Sequence, residues 1–174
     1  MINLGGDSKF ESEIRSLIPR LRRYARALTG DGMRADDLVQ ETLARGWEKR
    51  ALWQVGSDLR AWLFAIMHNL FVNELRRREL PATDLAAASD LPAADWPPDE
   101  SLAIRDLARG LAELSVEQRA VILLVGLEGM RYEDAARVLS VPIGTVMSRL
   151  SRARDQLRLS MEGSAAQAKL RVIK

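Results

Sequence analysis

The stretch 129–158 constrains the fold of this chain more than any other part of the sequence. It predicts a short helix over 132–139, a tight turn, and a second helix that begins at Pro142. Proline suits the first position of a helix, because it has no N–H to leave unpaired and its φ is already preset. The short helix has one small apolar face, formed by Ala135, Ala136 and Leu139, and the small residues on it let the second helix cross closely.

The second helix of this stretch has one apolar face and one basic face. Its apolar positions, at steps of four, three and four, are Val146, Leu150, Ala153 and Leu157. The opposite face carries hydroxyls and arginines, namely Thr145, Ser148, Arg149, Ser151, Arg152 and Arg158. A solvated surface helix would fit the same periodicity. The short first helix, the Pro142 start signal and the basic face confined to the second helix favour a DNA-reading helix-turn-helix.

Composition indicates an all-α protein without disulfides or a metal centre. Hydrophobic residues make up 47% of the 174 residues and aromatic residues only 5%, so a core of aliphatic helices is expected. There is no cysteine, and the single histidine, His68, cannot form a usual zinc site, so no metal and no cofactor is predicted. No apolar run approaches a membrane span and the N-terminus does not resemble a secretory signal, so the expected location is the cytoplasm.

The charge distribution divides the chain into two basic modules and an acidic connector. Residues 1–78 hold 14 Lys/Arg and 10 Asp/Glu, and residues 101–174 hold 12 and 8, so each part has a net charge of +4. Residues 79–100 hold no basic residue, six acids and several prolines. This segment is predicted to be an extended linker, and a passive tether fits it equally well. A 22-residue linker of this kind imposes little geometry, so the two modules are expected to move relative to one another.

Three helices are predicted in the first module. The first, over 8–29, contains Pro19, which should bend or split it. The second, over 34–50, should bury Leu38, Val39, Thr42, Leu43 and Trp47, while its polar face fits a solvated surface. The third, over about 59–78, should be capped by Ser57 or Asp58 and should face inward with Leu59, Trp62, Leu63, Ile66 and Leu70.

The second module is predicted to contain a helix over 100–111, then a capping box formed by Ser115 and Gln118, then the apolar run 120–127. Residues 161–174 are small and polar and are expected to form a frayed tail. The predicted architecture is therefore all-α: two small helical domains, 1–78 and 101–160, joined by the acidic linker, with a helix-turn-helix in the C-terminal domain.

Taken together, three stretches of the sequence resemble the extracytoplasmic-function (ECF, group IV) sigma factors, which are minimal two-domain initiation factors of bacterial RNA polymerase. The stretches are ADDLVQETLARGW (35–47), DLRAWLFAIMHNLFVNELRRR (58–78) and ELSVEQRAVILLVGLEGMRYEDAARVLSVPIGTVMSRLSRAR (113–154). The resemblance covers residues 10–160. Within the family, the chain is similar to the general-stress sigma factors of alphaproteobacteria.

The resemblance implies three interaction surfaces and no catalysis. The DLVQET helix would dock on the β′ clamp helices of core RNA polymerase through Asp37, Gln40, Glu41 and Arg45. The third helix, with the loop 53–58 that shapes the base pocket, would melt and read the −10 element through Trp53, Asn69, Asn73, Arg76, Arg77 and Arg78. The helix-turn-helix would sit on the β flap and read the −35 element through Thr145, Ser148, Arg149, Ser151 and Arg152.

The resemblance also implies that an anti-sigma factor holds the protein inactive and that the acidic linker runs toward the RNA exit path. Two positions depart from the family pattern: Met147 stands where a basic residue is common, and Ser151 where a larger residue is common. Two alternatives stay open at this point. One is a sigma-like decoy that binds an anti-sigma factor, although the basic recognition face is retained. The other is a stand-alone helix-turn-helix regulator, which would leave the 35–78 region unexplained.

Overall fold

The computed structural model describes residues 4–53, 56–79 and 102–172, and every regular element in these ranges is helical. The N-terminal module contains α1 (Leu4–Thr29), α2 (Gly32–Glu48), a short 3₁₀ turn (Arg50–Leu52) and α3 (Leu59–Glu79). The predicted acidic linker lies outside the described residues apart from its first residue, Glu79.

Side-chain caps set the starts of α2 and α3. The Asp31 carboxylate accepts a hydrogen bond from the Arg34 N–H at 2.7 Å, so α2 begins earlier than predicted. The Asp58 carboxylate accepts from the Ala61 N–H at 3.1 Å, which decides between the two predicted caps for α3. Pro19 lies inside α1 on an exposed position, and it does not split the helix.

The core of the N-terminal module is formed between α1, α2 and α3. Tyr24 and Phe64 meet edge to face, with 5.0 Å between their ring centroids. The apolar residues of α1 that recur at alternating steps of four and three face this core. Leu17 is half-buried and the other five are buried: Phe10, Ile14, Leu21, Tyr24 and Leu28.

Two predicted buried stripes were wrong in part. Trp47 of α2 is 44% exposed rather than buried, and its ring lies beside Phe10 at 6.2 Å. On α3, Trp62, Ile66 and Leu70 are only half-buried. The residues of α3 that are fully buried beside Leu59 and Leu63 are Phe64, Met67 and Phe71. Helix α3 is apolar on nearly every side, so its periodicity could not identify the face that packs inward.

The C-terminal module contains α4 (Leu102–Ala112), α5 (Val116–Ile122), a π-helical turn (Leu123–Leu127), α6 (Tyr132–Leu139) and α7 (Ile143–Val172). The predicted capping box is confirmed, because Ser115 Oγ and the Gln118 side chain each bond to the other's backbone. Gly129 has φ +63°, a left-handed conformation that ends the preceding helix and suits glycine. Helix α7 continues past Met161, where the tail was predicted to begin, and its backbone is helical through Val172.

The two modules are packed against each other in this structure, and their relative motion in solution stays a prediction. Helix α3 contacts α6, and α1 contacts the π-helical turn. Arg119 of α5 is buried, and it donates hydrogen bonds to the carbonyl of Leu28 in α1 and to three carbonyls of its own module, those of Leu111, Ala112 and Leu114. Burial lowers the pKa of this guanidinium.

A small cluster of ionisable side chains also lies at the junction. The charges of Arg149 on α7 and Glu117 on α5 act electrostatically on His68 of α3. Burial is the main cause that lowers the pKa of His68 to about 4. The positive charge of Arg149 also lowers this pKa, and the negative charge of Glu117 raises it. The imidazole is therefore neutral at pH 7. Hydrogen bonds from its own backbone N–H and from Ser115 lower the pKa of Glu117.

We expect Ser115→Ala to lower the free energy of unfolding by about 1 kcal/mol, because the variant loses the hydroxyl that accepts from the Gln118 N–H. Chemical denaturation would measure the change. Ser12→Ala, at an exposed position within α1, is the matched control and should be close to neutral. Equal stability of the two variants would contradict the cap's contribution.

We expect the protein to lose stability as the pH falls from 7 to 5, and His68 to account for about 2 kcal/mol of the loss. The pKa of His68 is about 4 in the folded protein and about 6.5 in the unfolded chain, so between these values the unfolded chain binds more protons. The stabilising contribution is therefore complete above pH 6.5 and is lost toward pH 4. Denaturant titrations of wild type and His68→Gln at several pH values would isolate the effect, since the chain has one histidine. Parallel pH profiles for the two proteins would contradict it.

Candidate nucleic-acid and polymerase interfaces

The predicted polymerase-docking residues share one exposed face of α2. Asp37, Gln40, Glu41 and Arg45 are all solvent-exposed. The Arg45 guanidinium donates to the Glu41 carboxylate at 2.8 Å, an i,i+4 pair at the surface that contributes little to stability. The opposite face of α2 packs against α3. Gly46 permits this close approach, because a Cβ added at this position would lie 2.8 Å from Leu63 Cδ2.

The predicted −10 residues of α3 form a polar strip along its exposed side. Asn69 and Asn73 are exposed and one turn apart, and Arg76, Arg77 and Arg78 follow in the last turn. Arg78 pairs with Glu74 at 3.1 Å, and Glu74 also accepts from Arg34 at 3.2 Å. Arginines at a helix C-terminus also interact favourably with the helix dipole, so the three arginines of the last turn stabilise α3 as well.

Trp53 is placed differently from the other predicted −10 residues. It is only 8% exposed, and its ring packs against Phe10 at 5.2 Å between centroids. In this conformation the indole holds the start of the loop against α1, and its ring is not available to stack on a base. Phe10 also lies 6.3 Å from the ring of Trp62, so three tryptophans surround one phenylalanine. This cluster, which the spacing of the aromatics did not reveal, anchors the loop between α2 and α3.

The predicted −35 residues lie on α7 opposite a buried face. Val146, Leu150 and Ala153 are buried, as predicted, whereas Leu157 is half-buried. Ser148, Ser151 and Arg152 are exposed, and Thr145 is partly covered. The Ser148 hydroxyl donates to the Thr145 carbonyl at 3.1 Å.

Arg149 is the member of the −35 set that the structure places at the junction between the modules. Its side chain is partly buried, and its charge acts on both His68 and Glu117. His68 precedes Asn69 in sequence, so one predicted −35 residue lies across the junction from the helix that carries the predicted −10 residues. Nothing in the sequence pattern indicated this proximity.

Exposed apolar side chains beside these −35 residues were not part of the predicted site. Met147 is 48% exposed and Ile143 is 39% exposed, both in the first turns of α7. An open cleft of about 310 Å³ between α6 and α7 is lined in part by Met147, Ser151 and Tyr132. Apolar side chains at such positions can contact thymine methyl groups in the major groove.

Within the described part of the chain, no group of three or more His, Asp or Glu side chains is arranged to hold a metal ion. A search of the same residues found no helix with the length and apolar character needed to cross a bilayer.

Comparison with known proteins identifies both modules. Residues 14–68 match the family described as the Sigma2 domain of PhyR, and residues 104–157 match Sigma-70, region 4. The chain is 38% identical to the ECF RNA polymerase sigma factor EcfG of Rhodopseudomonas palustris over 146 residues, which cover 83% of this chain and 81% of that protein. It is 37% identical to the ECF RNA polymerase sigma factor SigL of Mycobacterium tuberculosis over 150 residues, 82% of each chain.

The fold is similar to that of a solved sigma factor. The structure of RpoE from Bartonella quintana, determined in complex with the anti-sigma factor NepR, superposes with a TM-score of 0.81 at 37% sequence identity, covering 88% of this chain and 97% of RpoE. With two curated relatives matched over more than four fifths of their length, and both modules matched to sigma-factor domains, this chain belongs to the ECF family of RNA polymerase sigma factors.

Proposed function

We propose that this sigma factor binds core RNA polymerase through α2 and directs promoter-specific initiation by reading the −10 element with α3 and the −35 element with α7. The observation that carries the proposal is the separation of three exposed polar surfaces onto three helices, each backed by a buried apolar face. Such helices present their side chains from a rigid core, which recognition of a fixed partner requires.

The α2 surface suits docking on a polymerase helix pair. Asp37 and Glu41 give it acceptors, and Gln40 and Arg45 give it donors, so it can form directional polar contacts with the β′ clamp helices. Trp47 extends this exposed surface with an aromatic ring, over which the Arg50 guanidinium lies 4.8 Å from the centroid. An amphipathic ring at the edge of a polar patch is typical of an interface anchor.

The α3 surface suits a single-stranded −10 element. Side-chain amides such as those of Asn69 and Asn73 can both donate to and accept from the Watson–Crick edge of an unstacked base. Arg76, Arg77 and Arg78 provide the positive charge that holds the backbone phosphates. Trp53 contributes by supporting the loop 53–58, part of which lies outside the described residues.

The α7 surface suits duplex DNA. Arginines in the first turns of a recognition helix can take guanine in the major groove, and hydroxyls can contact bases or phosphates. With Met147 at an exposed position of this helix, the −35 preference is expected to include a thymine methyl contact. The second module would also sit on the β flap.

Initiation by this mechanism needs no chemistry from the chain itself, so we assign it no enzymatic activity and place its action in the cytoplasm, beside the polymerase. A role in the general stress response is part of this proposal, because the sequence resembles the general-stress sigma factors. The solved complex of RpoE with NepR supports an anti-sigma factor as a further partner of this chain.

A sigma-like decoy is the second candidate function, because the N-terminal module matches the Sigma2 domain of PhyR. A decoy needs only the surfaces that bind the anti-sigma factor and has no use for base-reading side chains. The exposed Asn69, Ser148 and Arg152 therefore favour the initiation factor.

Transcription in vitro with core polymerase and a genomic promoter library is expected to give starts that share two spaced motifs. Arg152→Ala should weaken the preference at one position of the −35 motif by about 5- to 150-fold, since a good base contact is worth about 1–3 kcal/mol. Asn69→Ala should weaken only the −10 preference. Arg109→Ala, a surface arginine of α4 paired with Asp106 at 3.0 Å, is the control for Arg152→Ala and should leave both motifs unchanged.

Binding to core polymerase without any specific transcript would favour the decoy. Binding of DNA without binding of core polymerase would favour a stand-alone helix-turn-helix regulator. Equal motif changes in the Arg152→Ala and Arg109→Ala proteins would contradict the −35 assignment.

We expect Asp37→Arg together with Gln40→Ala to weaken binding of core polymerase by at least about tenfold, because both side chains are exposed on the docking face and a misplaced charge opposes the contact. The melting temperature should stay within about 2 °C of wild type, since neither side chain is buried. Fluorescence anisotropy with labelled protein would measure the affinity. A double substitution on another exposed face, Glu11→Gln with Arg15→Ala in α1, is the control, and equal affinities for the two variants would contradict the assignment of α2.

A further inference from the structure

All the sulfur in this chain is in methionine, because the sequence has six methionines and no cysteine. A peroxide therefore finds no thiolate to attack, and the thioethers are the most readily oxidised side chains. Two methionines of the described residues, Met67 and Met130, are buried, with 0% and 3% exposure. Three others are accessible to solvent: Met33 at 81%, Met147 at 48% and Met161 at 40%.

Met147 is the accessible methionine that lies on the proposed −35 surface. It stands in the second turn of α7, where Ile143 lies one turn before it and Ser151 one turn after it. Ser151 is small and exposed, so it leaves the thioether in contact with solvent. Met147 and Ser151 also line the open cleft of about 310 Å³ that Tyr132 of α6 borders. The Met147 side chain is thus open both to a small oxidant and to a DNA base.

The packing of the C-terminal module does not depend on the Met147 thioether. Helix α7 is fixed by another face, on which Val146, Leu150 and Ala153 are buried. A polar atom added to the exposed Met147 stays hydrated, whereas the same atom on the buried Met67 would lose its water. Oxidation at Met147 would therefore change the surface of α7 and leave the fold as it is.

Oxidation changes the polarity of the side chain in one defined step. The peroxide transfers one oxygen atom to the thioether sulfur, so that the S–O bond forms and the O–O bond breaks. The sulfur gives up two electrons, and the peroxide is reduced to water or, for an alkyl peroxide, to an alcohol. The product is methionine sulfoxide, a polar side chain whose oxygen accepts hydrogen bonds, whereas the thioether is only a weak acceptor.

The major groove distinguishes these two forms of the side chain. Thymine presents a methyl group there, while adenine and cytosine present exocyclic amines that donate hydrogen bonds. The apolar thioether of Met147 suits the thymine methyl, and a sulfoxide oxygen suits an amine. One side chain therefore has two base preferences, according to the oxidation state of its sulfur.

We propose that Met147 is a redox-sensitive reading residue. Its conversion to the sulfoxide by a peroxide shifts the −35 preference at one position away from thymine and toward adenine or cytosine. The reduced and the oxidised sigma factor then select different promoters with the same core polymerase. The proposal rests on the proposed function, because the oxidation state of Met147 matters for transcription only if α7 reads the −35 element.

The first test is the order in which the methionines are oxidised. The purified protein is treated with increasing hydrogen peroxide, and peptide mass spectrometry follows each methionine. Met33, Met147 and Met161 should be half oxidised at doses at least about fivefold lower than Met67 and Met130, because susceptibility follows exposure. Melting curves at the lower doses should match those of untreated protein. A Met147 that stays reduced while Met33 and Met161 are oxidised would overturn the proposal.

The second test is the base preference of the oxidised protein. Treated sigma factor is freed of peroxide, mixed with untreated core polymerase and assayed on a promoter library with a randomised −35 element. The thymine preference at one position should fall about three- to fivefold, since one apolar methyl contact is worth about fourfold in affinity. The preference for adenine or cytosine at that position should rise. Treatment with the methionine sulfoxide reductases A and B should restore the original motif.

Met147→Leu and Met161→Leu form the matched pair of variants. Both methionines lie on α7 with similar exposure, and about 21 Å of helix separates them. Each protein is compared with itself before and after peroxide, so the basal preference of a variant does not enter the result. Peroxide should shift the motif of Met161→Leu as it shifts that of the wild type. It should leave the motif of Met147→Leu as it was before treatment.

Met147→Gln supplies an acceptor without peroxide, since its amide oxygen lies on an unbranched side chain of similar length. The untreated variant should show the base preference of the oxidised wild type. A thymine preference in Met147→Gln equal to that of the reduced wild type would overturn the redox switch. An equal peroxide response of Met147→Leu and Met161→Leu would overturn it as well.

Failure of this proposal is distinguishable from failure of the proposed function. If the reduced wild type initiates at specific promoters and oxidation of Met147 leaves their motif unchanged, the redox switch alone fails. If the reduced wild type gives no specific transcript with core polymerase, the proposed function fails and the switch fails with it. The oxidation pattern is measured without polymerase and without DNA, so it reports the access to each thioether in either case.

Discussion

Helix α3 is packed on two sides, and this double packing governs the arrangement of the whole molecule. Toward α1 and α2 it buries Phe64, Met67 and Phe71, and toward the C-terminal module it contacts α6. A helix that is covered on two sides must be apolar over most of its surface. Only the strip with Asn69 and Asn73, together with the arginines of the last turn, is left exposed to solvent, and this is the surface that we propose for the −10 element.

Three buried or half-buried ionisable side chains lie where the two modules pack against each other. Arg119 binds carbonyls of both modules, Glu128 accepts from arginines of the other module, and His68 is kept neutral between Arg149 and Glu117. Each of them would regain water if the modules separated, so the packed arrangement gains much less from these contacts than their number suggests.

Local signals predicted the C-terminal module well, and they predicted the N-terminal module less well. The short helix over 132–139, the capping box of Ser115 and the buried Val146, Leu150 and Ala153 are confirmed, because each depends on contacts within a few residues. The inward face of α3 and the exposure of Trp47 were predicted wrongly, because periodicity cannot distinguish the faces of a helix that is apolar all round. Trp53 was expected at a base and lies against Phe10, since the aromatic cluster forms only when α1, α2 and the loop come together.

The sequence by itself determined the family, the helices, the helix-turn-helix and the polar faces of α2, α3 and α7, because amphipathic periods and capping residues act over one or two turns. It could not determine how the two modules meet. That depends on the Glu128 carboxylate accepting from arginines more than 100 residues earlier in the chain, and on the positive charge of Arg149 acting on His68. Such interactions have no periodicity and no fixed spacing along the chain, so only the tertiary structure decided how the two modules pack against each other.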